Sequence, residues 1–159
     1  MRILLVDPHF VSEHDHSLEM VSGKLPSLGI LTIASLLRKN HEVTILDCQF
    51  HSADSARREI AHARVDLIAI SATTPWRAAA FSLAREAKAT GSIVVMGGHH
   101  ASIAPEDCLR AGGVDAVVLG ESEETFPALC TGRWASGEST GNLKKSSVIL
   151  QASVPVTIS

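Results

Sequence analysis

Short apolar runs recur along the first 120 residues of the chain and alternate with amphipathic segments. Each run is rich in Val, Ile, Leu or Ala, and the five runs span residues 3–6, 43–46, 67–70, 93–96 and 116–119. Continuous apolar runs of this length are typical of strands that are buried on both faces of a sheet. The pattern therefore predicts five buried strands.

The segments between these runs have helical spacing. Ile30, Ile33, Ala34 and Leu37, for example, fall along one side of a helix. The predicted helices span residues 28–38, 53–63, 76–89, 105–111 and 123–129. Regular alternation of strand and helix implies parallel pairing with right-handed crossovers. We therefore expect an α/β protein with an open, doubly wound parallel sheet that helices cover on both faces.

Two stretches of the chain break this alternation. Residues 8–25 form a connection too long for a plain turn, which is typical of a binding loop or a disordered segment. From residue 131, Gly, Ser, Thr and Lys dominate until an apolar stretch at 147–158. We predict one domain at residues 1–130, followed at 131–159 by a linker and tail. The tail is expected to form one or two strands that join a sheet edge or make a β hairpin.

Length, charge and cysteine content narrow the classes of function. A chain of 159 residues fits one domain, and a formal net charge of −3 gives no attraction to nucleic acid or anionic lipid. No apolar run approaches the roughly 20 residues that span a bilayer, so we expect a cytoplasmic protein. Cys48, Cys108 and Cys130 form no Cys-x-x-Cys, which argues against a disulfide framework and against a zinc site.

Small and polar residues follow the predicted strands, at the edge of a parallel sheet where ligands bind. They are Asp7-Pro8-His9, Asp47, Ser71-Ala72-Thr73-Thr74-Pro75, Gly97-Gly98-His99-His100 and Gly120-Glu121. Gly97 and Gly98 either admit a ligand or simply turn the chain. The hydroxyls of Ser71, Thr73 and Thr74 either bind a polar ligand or cap the next helix, and capping suits Thr74 best.

A larger set of these residues, in order and at the strand ends, carries a resemblance to a known family. The set comprises Pro26-Ser27-Leu28-Gly29-Ile30-Leu31, His41-Glu42-Val43, Leu46-Asp47, Ile70-Ser71, Thr74-Pro75, Gly97-Gly98-His99-His100-Ala101-Ser102, Pro105-Glu106, Asp115 and Gly120-Glu121-Ser122-Glu123. It resembles the cobalamin-binding N-terminal domain of cobalamin-dependent radical S-adenosylmethionine enzymes. The resemblance covers roughly residues 1 to 130 and is more specific than any isolated glycine pair.

The resemblance implies a flavodoxin-like (Rossmann-like) sheet of strand order 2-1-3-4-5 that binds cobalamin, a cobalt cofactor, at its C-terminal rim. The nucleotide tail of the cofactor would enter between the loops after strands three, four and five. The cofactor-binding residues implied are Pro26, Leu28, Gly29, Ser71, Thr73, Thr74, Gly97, Gly98, His99, His100, Gly120 and Glu121. A Gly98→Val substitution should then abolish cofactor retention without unfolding the chain.

Family members carry a further domain with a Cys-x-x-x-Cys-x-x-Cys motif for an iron–sulfur cluster, and this sequence has no such motif. We therefore expect no iron–sulfur cluster and no radical chemistry in this chain, and leave its status as an enzyme open. The implied role is a cofactor-carrying part of a methyltransferase or radical S-adenosylmethionine system. A catalytic domain acting in trans, or self-association, would cover the exposed corrin face.

His9 is a candidate axial ligand of cobalt. Other cobalamin modules use Asp-x-His-x-x-Gly, in which the His displaces the cofactor's own base, and Asp7-Pro8-His9 matches the first part of that motif. Ser12 stands where the motif has Gly, and Pro8 stiffens the turn. The alternative is a rim histidine that contacts the corrin or the solvent. His14-Asp15-His16 offers no third ligand at a fixed spacing and indicates a solvated loop.

Three other functions compete with cobalamin binding. A phosphorylated receiver domain needs an Asp after the third strand, where this chain has Ser71. A dinucleotide enzyme needs Gly-x-Gly-x-x-Gly after the first strand, which is missing. A truncated or degenerate domain that binds a partner protein instead of a cofactor is supported by the atypical sequence after Cys130.

Overall fold

The computed structural model describes residues 1–10, 27–131 and 147–150. The strands are β1 (Arg2–Asp7), β2 (Glu42–Asp47), β3 (Leu67–Ser71), β4 (Ile93–Gly97), β5 (Ala116–Leu119) and β6 (Ser147–Leu150). The α-helices are α1 (Leu28–Leu37), α2 (Ala53–His62), α3 (Arg77–Ala89), α4 (His99–Ile103), α5 (Pro105–Arg110) and α6 (Ser122–Cys130). Two 3-10 turns, Cys48–Phe50 and Thr74–Trp76, follow β2 and β3. None of these helices is both long enough and apolar enough to cross a bilayer.

The strands form one sheet in the order β2-β1-β3-β4-β5-β6. The first five strands pair in parallel, which confirms the predicted α/β class and the order 2-1-3-4-5. β6 adds a sixth strand that runs antiparallel to β5, with Val117 opposite Ile149. The connection between these two strands includes residues 132–146, which lie outside the described part of the chain.

Side chains alternate between the two faces of the sheet, and each face has its own core. Leu4, Ile68 and Met96 pack on one face with Ile60 of α2 and Leu83 of α3. Residues one position away, including Leu5, Leu67 and Val95, pack on the other face with residues of α1 and α6. Because successive strand residues point to opposite faces, continuous apolar runs supply both cores.

An ion pair between the buried Asp115 and the half-exposed Lys88 ties elements together at the amino end of the sheet. Asp115 is 2% exposed and accepts hydrogen bonds from Lys88 Nζ at 2.8 and 2.9 Å. One of its oxygens also accepts from the Val94 amide at 2.9 Å. Asp115 precedes β5, and Lys88 lies in the last turn of α3, so the pair connects that helix to two strands.

The helix α4 is absent from the sequence prediction, which treats His99 and His100 as part of a glycine loop. Gly98 precedes the helix with a φ of +95°, and the Ser102 amide donates to its carbonyl oxygen at 3.1 Å. A helix of five residues is too short to show a hydrophobic period. The other predicted elements agree with the structure to within one or two residues at each end.

Candidate functional site

A cavity of about 450 Å³ opens at the carboxyl ends of the strands, on the sheet face that α1 and α6 cover. Seven of its lining residues come from the strands or follow them directly, and they share one face: Leu5, Ala69, Ser71, Val95, Gly97, Val118 and Gly120. Ile30 and Ile33 of α1 and Phe126 of α6 complete its apolar wall. The sheet therefore provides a slot that is apolar at its base and reaches the predicted ligand-binding rim.

Gly97 leaves this slot open. An ideal Cβ on Gly97 would meet only Ser122 Oγ at 3.8 Å and Val118 atoms at 3.9 Å or more. These are ordinary contact distances, and Gly97 has no positive φ. The backbone at this position does not require glycine, so the missing side chain is space that a ligand can use.

Gly98 has a different role, although it is adjacent to Gly97. Its φ is +95°, and a Cβ there would lie 2.8 Å from the Ala72 carbonyl oxygen and 3.1 Å from Ser71 Oγ. The glycine is required by the turn between β4 and α4 and by the close approach to the β3 loop. The expectation that Gly98→Val leaves the fold intact is therefore wrong.

Hydroxyl groups form the polar part of the cavity wall. Ser71 is the last residue of β3 and Thr73 follows the strand, Ser102 lies in α4, and Ser122 begins α6. The Ser102 hydroxyl donates to the Gly98 carbonyl at 3.0 Å and accepts from the Gly120 amide at 2.9 Å. These side chains can donate to or accept from a ligand, whatever its polar group.

The charged residues at the cavity are acidic. Glu121 and Glu123 line it, whereas no lysine or arginine is among the lining residues that the structure describes. A free nucleotide with two or three phosphates would meet repulsion here rather than a cationic clamp. The site suits a ligand with little net negative charge.

The cavity brings together most of the residues that the sequence predicted for the cofactor site. Those that line it are Gly29, Ser71, Thr73, Gly97, Gly98, His99, Gly120 and Glu121. Leu28 lies next to the lining and is 78% exposed, and Thr74 is also exposed and outside the lining. Pro26 and residues 11–25 of the long connection at 8–25, predicted as a binding loop or a disordered segment, lie outside the described residues.

His100 is predicted at the site but does not line the cavity. It is buried, its Nδ1 lies 3.3 Å from Thr74 Oγ1, and its ring contacts Phe81 of α3 at a centroid distance of 5.9 Å. Its Nε2 is buried without a hydrogen-bond partner among the described residues. His100 therefore packs between the β3 and β4 loops, on the side of α3, rather than at the lined slot.

His9 also lies beside the cavity rather than in it. The side chain is exposed, and its ring contacts Trp76 with 5.0 Å between centroids and 37° between the ring planes. Asp7, two residues earlier, is partly buried. Burial raises the pKa of this carboxyl, the charge of Asp47 on the neighbouring strand raises it further, and His9 lowers it. In residues 1–10, 27–131 and 147–150, no three His, Cys, Asp or Glu side chains are grouped to hold a metal ion.

The three cysteines are free and buried. Burial raises the pKa of the Cys48 thiol to about 12, with Asp7 and Asp47 adding to the effect. Burial also raises the pKa of the Cys108 thiol to about 11 and that of Cys130 to about 12. These thiols stay protonated at neutral pH, so none is suited to act as a nucleophile.

Several residues that line the cavity were not among the predicted cofactor-binding residues, although some of them belong to the set that carries the resemblance. These are Ser27, Ile30, Ile33, Ser102, Ser122, Glu123 and Phe126, together with strand residues on the same face. The isoleucines carry the same periodic signal as core residues, so the pattern cannot distinguish a cavity wall from a packed core. Ser102 follows the glycine pair closely, and its position within Gly-Gly-His-His-Ala-Ser was the one available signal.

Comparison with known proteins identifies the class that this fold and site define. Residues 18–130 match the family model of the B12 binding domain. The chain belongs to this B12-binding domain family. The predicted resemblance to the cobalamin-binding domain of radical S-adenosylmethionine enzymes is confirmed.

Curated relatives of the chain include methyltransferases. An uncharacterized methyltransferase of Pyrococcus horikoshii is 36% identical over 135 residues, which cover 81% of this chain and 28% of the relative. An uncharacterized methyltransferase of Synechocystis is 32% identical, with 80% and 24% covered. Bacteriochlorophyllide d C-8(2)-methyltransferase of Chlorobaculum tepidum is 30% identical, with 65% and 21% covered. The chain therefore spans about a quarter of the length of these relatives.

Two solved structures share the fold. The radical S-adenosylmethionine methyltransferase TsrM of Kitasatospora setae superposes with a TM-score of 0.68 at 19% identity, over 91% of this chain and 28% of TsrM. The cobalamin-dependent S-adenosylmethionine radical enzyme OxsB, solved with aqua-cobalamin, gives 0.66 at 18% identity, over 99% and 22%. At these identities the likeness shows a common fold.

Proposed function

We propose that this domain binds cobalamin at the carboxyl rim of its sheet, with the nucleotide tail in the cavity and the lower base displaced from cobalt. The upper corrin face would be presented to a catalytic domain of a methyltransferase or radical S-adenosylmethionine system. The observation that carries the proposal is the open space beside Gly97 at the strand ends. The match of residues 18–130 to the B12 binding domain supports cobalamin as the ligand.

The residues at the cavity fit such a tail. Its terminal base is a flat apolar ring, which Val95, Val118 and Phe126 can enclose. Ser71 and Thr73 also line the cavity, and their hydroxyls can hydrogen-bond the ribose and phosphodiester oxygens of the tail. Bound in this way, cobalamin would supply methyl-transfer chemistry at its cobalt, and the protein would hold and orient it.

Charge distinguishes this ligand from others that bind open α/β sheets. Flavin and nicotinamide cofactors carry phosphate charge that proteins meet with basic groups or a glycine-rich cradle. This cavity instead carries Glu121 and Glu123. Cobalamin combines one phosphodiester with a cationic metal centre and neutral amide side chains, so carboxylates at the mouth are tolerated and can accept from the amides.

His9 is the imidazole to test as the ligand that replaces the base. It follows β1 at the same rim as the cavity, and its ring is exposed on the side that does not contact Trp76. If His9 binds cobalt, a His9→Ala variant with bound cobalamin will have a different visible spectrum from the parent protein. An unchanged spectrum assigns His9 to contact with the corrin or the solvent.

The proposed catalytic partner would meet the domain at the cavity mouth. Leu28 beside Gly29, and Ile103 beside Ser102, are 78% and 74% exposed and border the lining residues. Exposed apolar side chains of this size commonly mark a binding surface. The partner is proposed as a catalytic domain, in the same polypeptide or in trans, or a second copy of this chain.

The buried free thiols suit a reducing compartment, and we propose that the protein lies in the cytoplasm.

The test is cofactor retention. Purified protein is mixed with hydroxocobalamin, desalted, and examined by visible spectroscopy. A retained corrinoid with a displaced-base spectrum supports the proposal. Colourless protein at micromolar concentration supports the alternative of a degenerate domain that binds a protein partner instead.

A further inference from the structure

Ser102 links the two loops that border the cavity at β4 and β5. Its hydroxyl donates to the Gly98 carbonyl oxygen at 3.0 Å and accepts from the Gly120 amide at 2.9 Å. Gly98 and Gly120, like Ser102 itself, line the cavity. One hydroxyl therefore connects two walls of the same slot.

The Ser102 hydroxyl satisfies the Gly120 amide at the point where the chain leaves the sheet. Gly120 directly follows β5 and adopts a φ of +67°, so its backbone has left the parallel ladder. The Ser102 hydroxyl supplies an acceptor for this amide. Gly120 is exposed, so without this hydroxyl its amide would bond water instead, and the position of the β5 loop would no longer be tied to α4.

At Gly98, a second hydrogen bond strengthens the link. The Gly98 carbonyl also accepts from the Ser102 amide at 3.1 Å, and Gly98 packs against the backbone of Ala72. Ser102 is thus held on the rigid β3–β4 side, and its hydroxyl reaches across to the β5 side. The arrangement fixes the β5 loop relative to the β4 loop before any ligand arrives.

We propose that Ser102 is a positioning residue that sets the width of the slot between the β4 and β5 loops and thereby the affinity for the nucleotide tail. This inference rests on the proposed function, because it needs the tail in the cavity. Ser102 would act through Gly98 and Gly120 by pre-organising the slot, so that binding does not have to order the loop.

The experiment compares two corrinoids on the full chain. Cobalamin carries the nucleotide tail and cobinamide lacks it, so the ratio of their dissociation constants measures the contribution of the tail. In Ser102→Ala we expect cobalamin to bind roughly tenfold more weakly, the scale of one or two lost hydrogen bonds, while cobinamide binds as before. Ser102→Thr, which keeps the hydroxyl, should restore most of the ratio.

Ser92→Ala is the matched control. The Ser92 hydroxyl also makes two contacts, donating to the Val65 carbonyl at 2.8 Å and lying 2.9 Å from Thr90 Oγ1, but at the amino end of β4. This variant should lower the thermal midpoint without changing the ratio. If Ser102→Ala does not fold, Ser102→Cys keeps the size of the side chain with weaker hydrogen bonds, and its ratio should fall in the same direction.

The outcomes separate the inference from the proposed function. An unchanged ratio in folded Ser102→Ala or Ser102→Cys protein, or an equal loss of both corrinoids, overturns the role of Ser102. Failure of the parent protein to bind either corrinoid overturns the proposed function, and the inference with it.

Discussion

Gly98 lies directly against the backbone of Ala72. A Cβ at Gly98 would be 2.8 Å from the Ala72 carbonyl oxygen and 3.1 Å from its nitrogen. The same carbonyl accepts from the His100 amide at 2.9 Å, and the Ala72 amide donates to Gly97 at 2.7 Å. The loops after β3 and β4 are therefore joined through backbone contacts, and this junction forms one wall of the cavity.

The first prediction follows from this contact. Gly98→Ala should destabilise the fold by about 3 kcal/mol, because an L-residue is strained at a φ of +95° and the new methyl overlaps backbone atoms that cannot move independently. Gly91→Ala is the control, since Gly91 has a φ of +84° with nothing within 4 Å of its Cβ. Its cost should be only about 1 kcal/mol. Urea unfolding measures both, and equal losses would contradict the role of the Ala72 contact.

Substitution of Gly97 should weaken cobalamin binding and leave the fold intact. Gly97→Val places two methyl groups in the cavity without backbone strain, so we expect the chain to fold and cobalamin affinity to fall at least about tenfold. Gly97→Ala, with one methyl at ordinary contact distances, should have a smaller effect. Desalting and visible spectroscopy measure retention, and the thermal midpoint checks the fold. If the Val variant retains cobalamin fully, the nucleotide tail does not lie beside Gly97.

These two glycines show how far a sequence can lead. Their position after a buried strand predicted that they lie at the rim of the sheet, because the carboxyl ends of parallel strands meet there. Their different roles depend on Ala72, which is 26 positions before Gly98 in the chain, and no local pattern shows that contact. The sequence therefore predicted which residues lie at the rim, whereas the contact between Gly98 and Ala72 is visible only in the structure.

The same limit explains His100 and Ser102. His100 follows Gly98 and His99, and nothing in the sequence distinguishes a histidine that lines the cavity from one packed on Phe81. Ser102 accepts a hydrogen bond from the amide of Gly120, 18 residues later. It lies in α4, which is too short to give a periodic signal in the sequence. The strands, by contrast, were predictable because each is a continuous apolar run that both cores require.

The ion pair between the buried Asp115 and the half-exposed Lys88 should be important for stability. Asp115→Ala leaves the Val94 amide without its side-chain acceptor and detaches α3 from β5, which we expect to cost about 3 kcal/mol. Arg2→Ala is the control, because Arg2 and Asp66 form an exposed pair at 3.7 Å whose loss should cost at most about 1 kcal/mol. Chemical denaturation gives both values. A loss for Asp115→Ala no larger than that for Arg2→Ala would show that the pair adds little.

Asp7 predicts an effect of pH on stability. Its carboxyl is partly buried and lies opposite Asp47 in the sheet register, so its pKa is raised above 3.8 by burial first and by the Asp47 charge second. In the window between 3.8 and the raised pKa, the native state binds more protons than the unfolded chain. Stability contributed by this group therefore falls as the pH rises through that window, and the ionised carboxylate is a penalty at neutral pH.

Asp7→Asn should remove this penalty. We expect the variant to be more stable than the parent at pH 7, with the gain shrinking as the pH falls toward 3.8, where the parent carboxyl becomes protonated in both states. Ser82→Ala in α3, which changes no ionisable group, should show no such trend. Urea midpoints at several pH values measure the difference. A loss at pH 7 would mean that the His9 charge and the hydrogen bond from the His9 amide outweigh burial and the Asp47 charge. A gain independent of pH would mean that ionisation of Asp7 is not its cause.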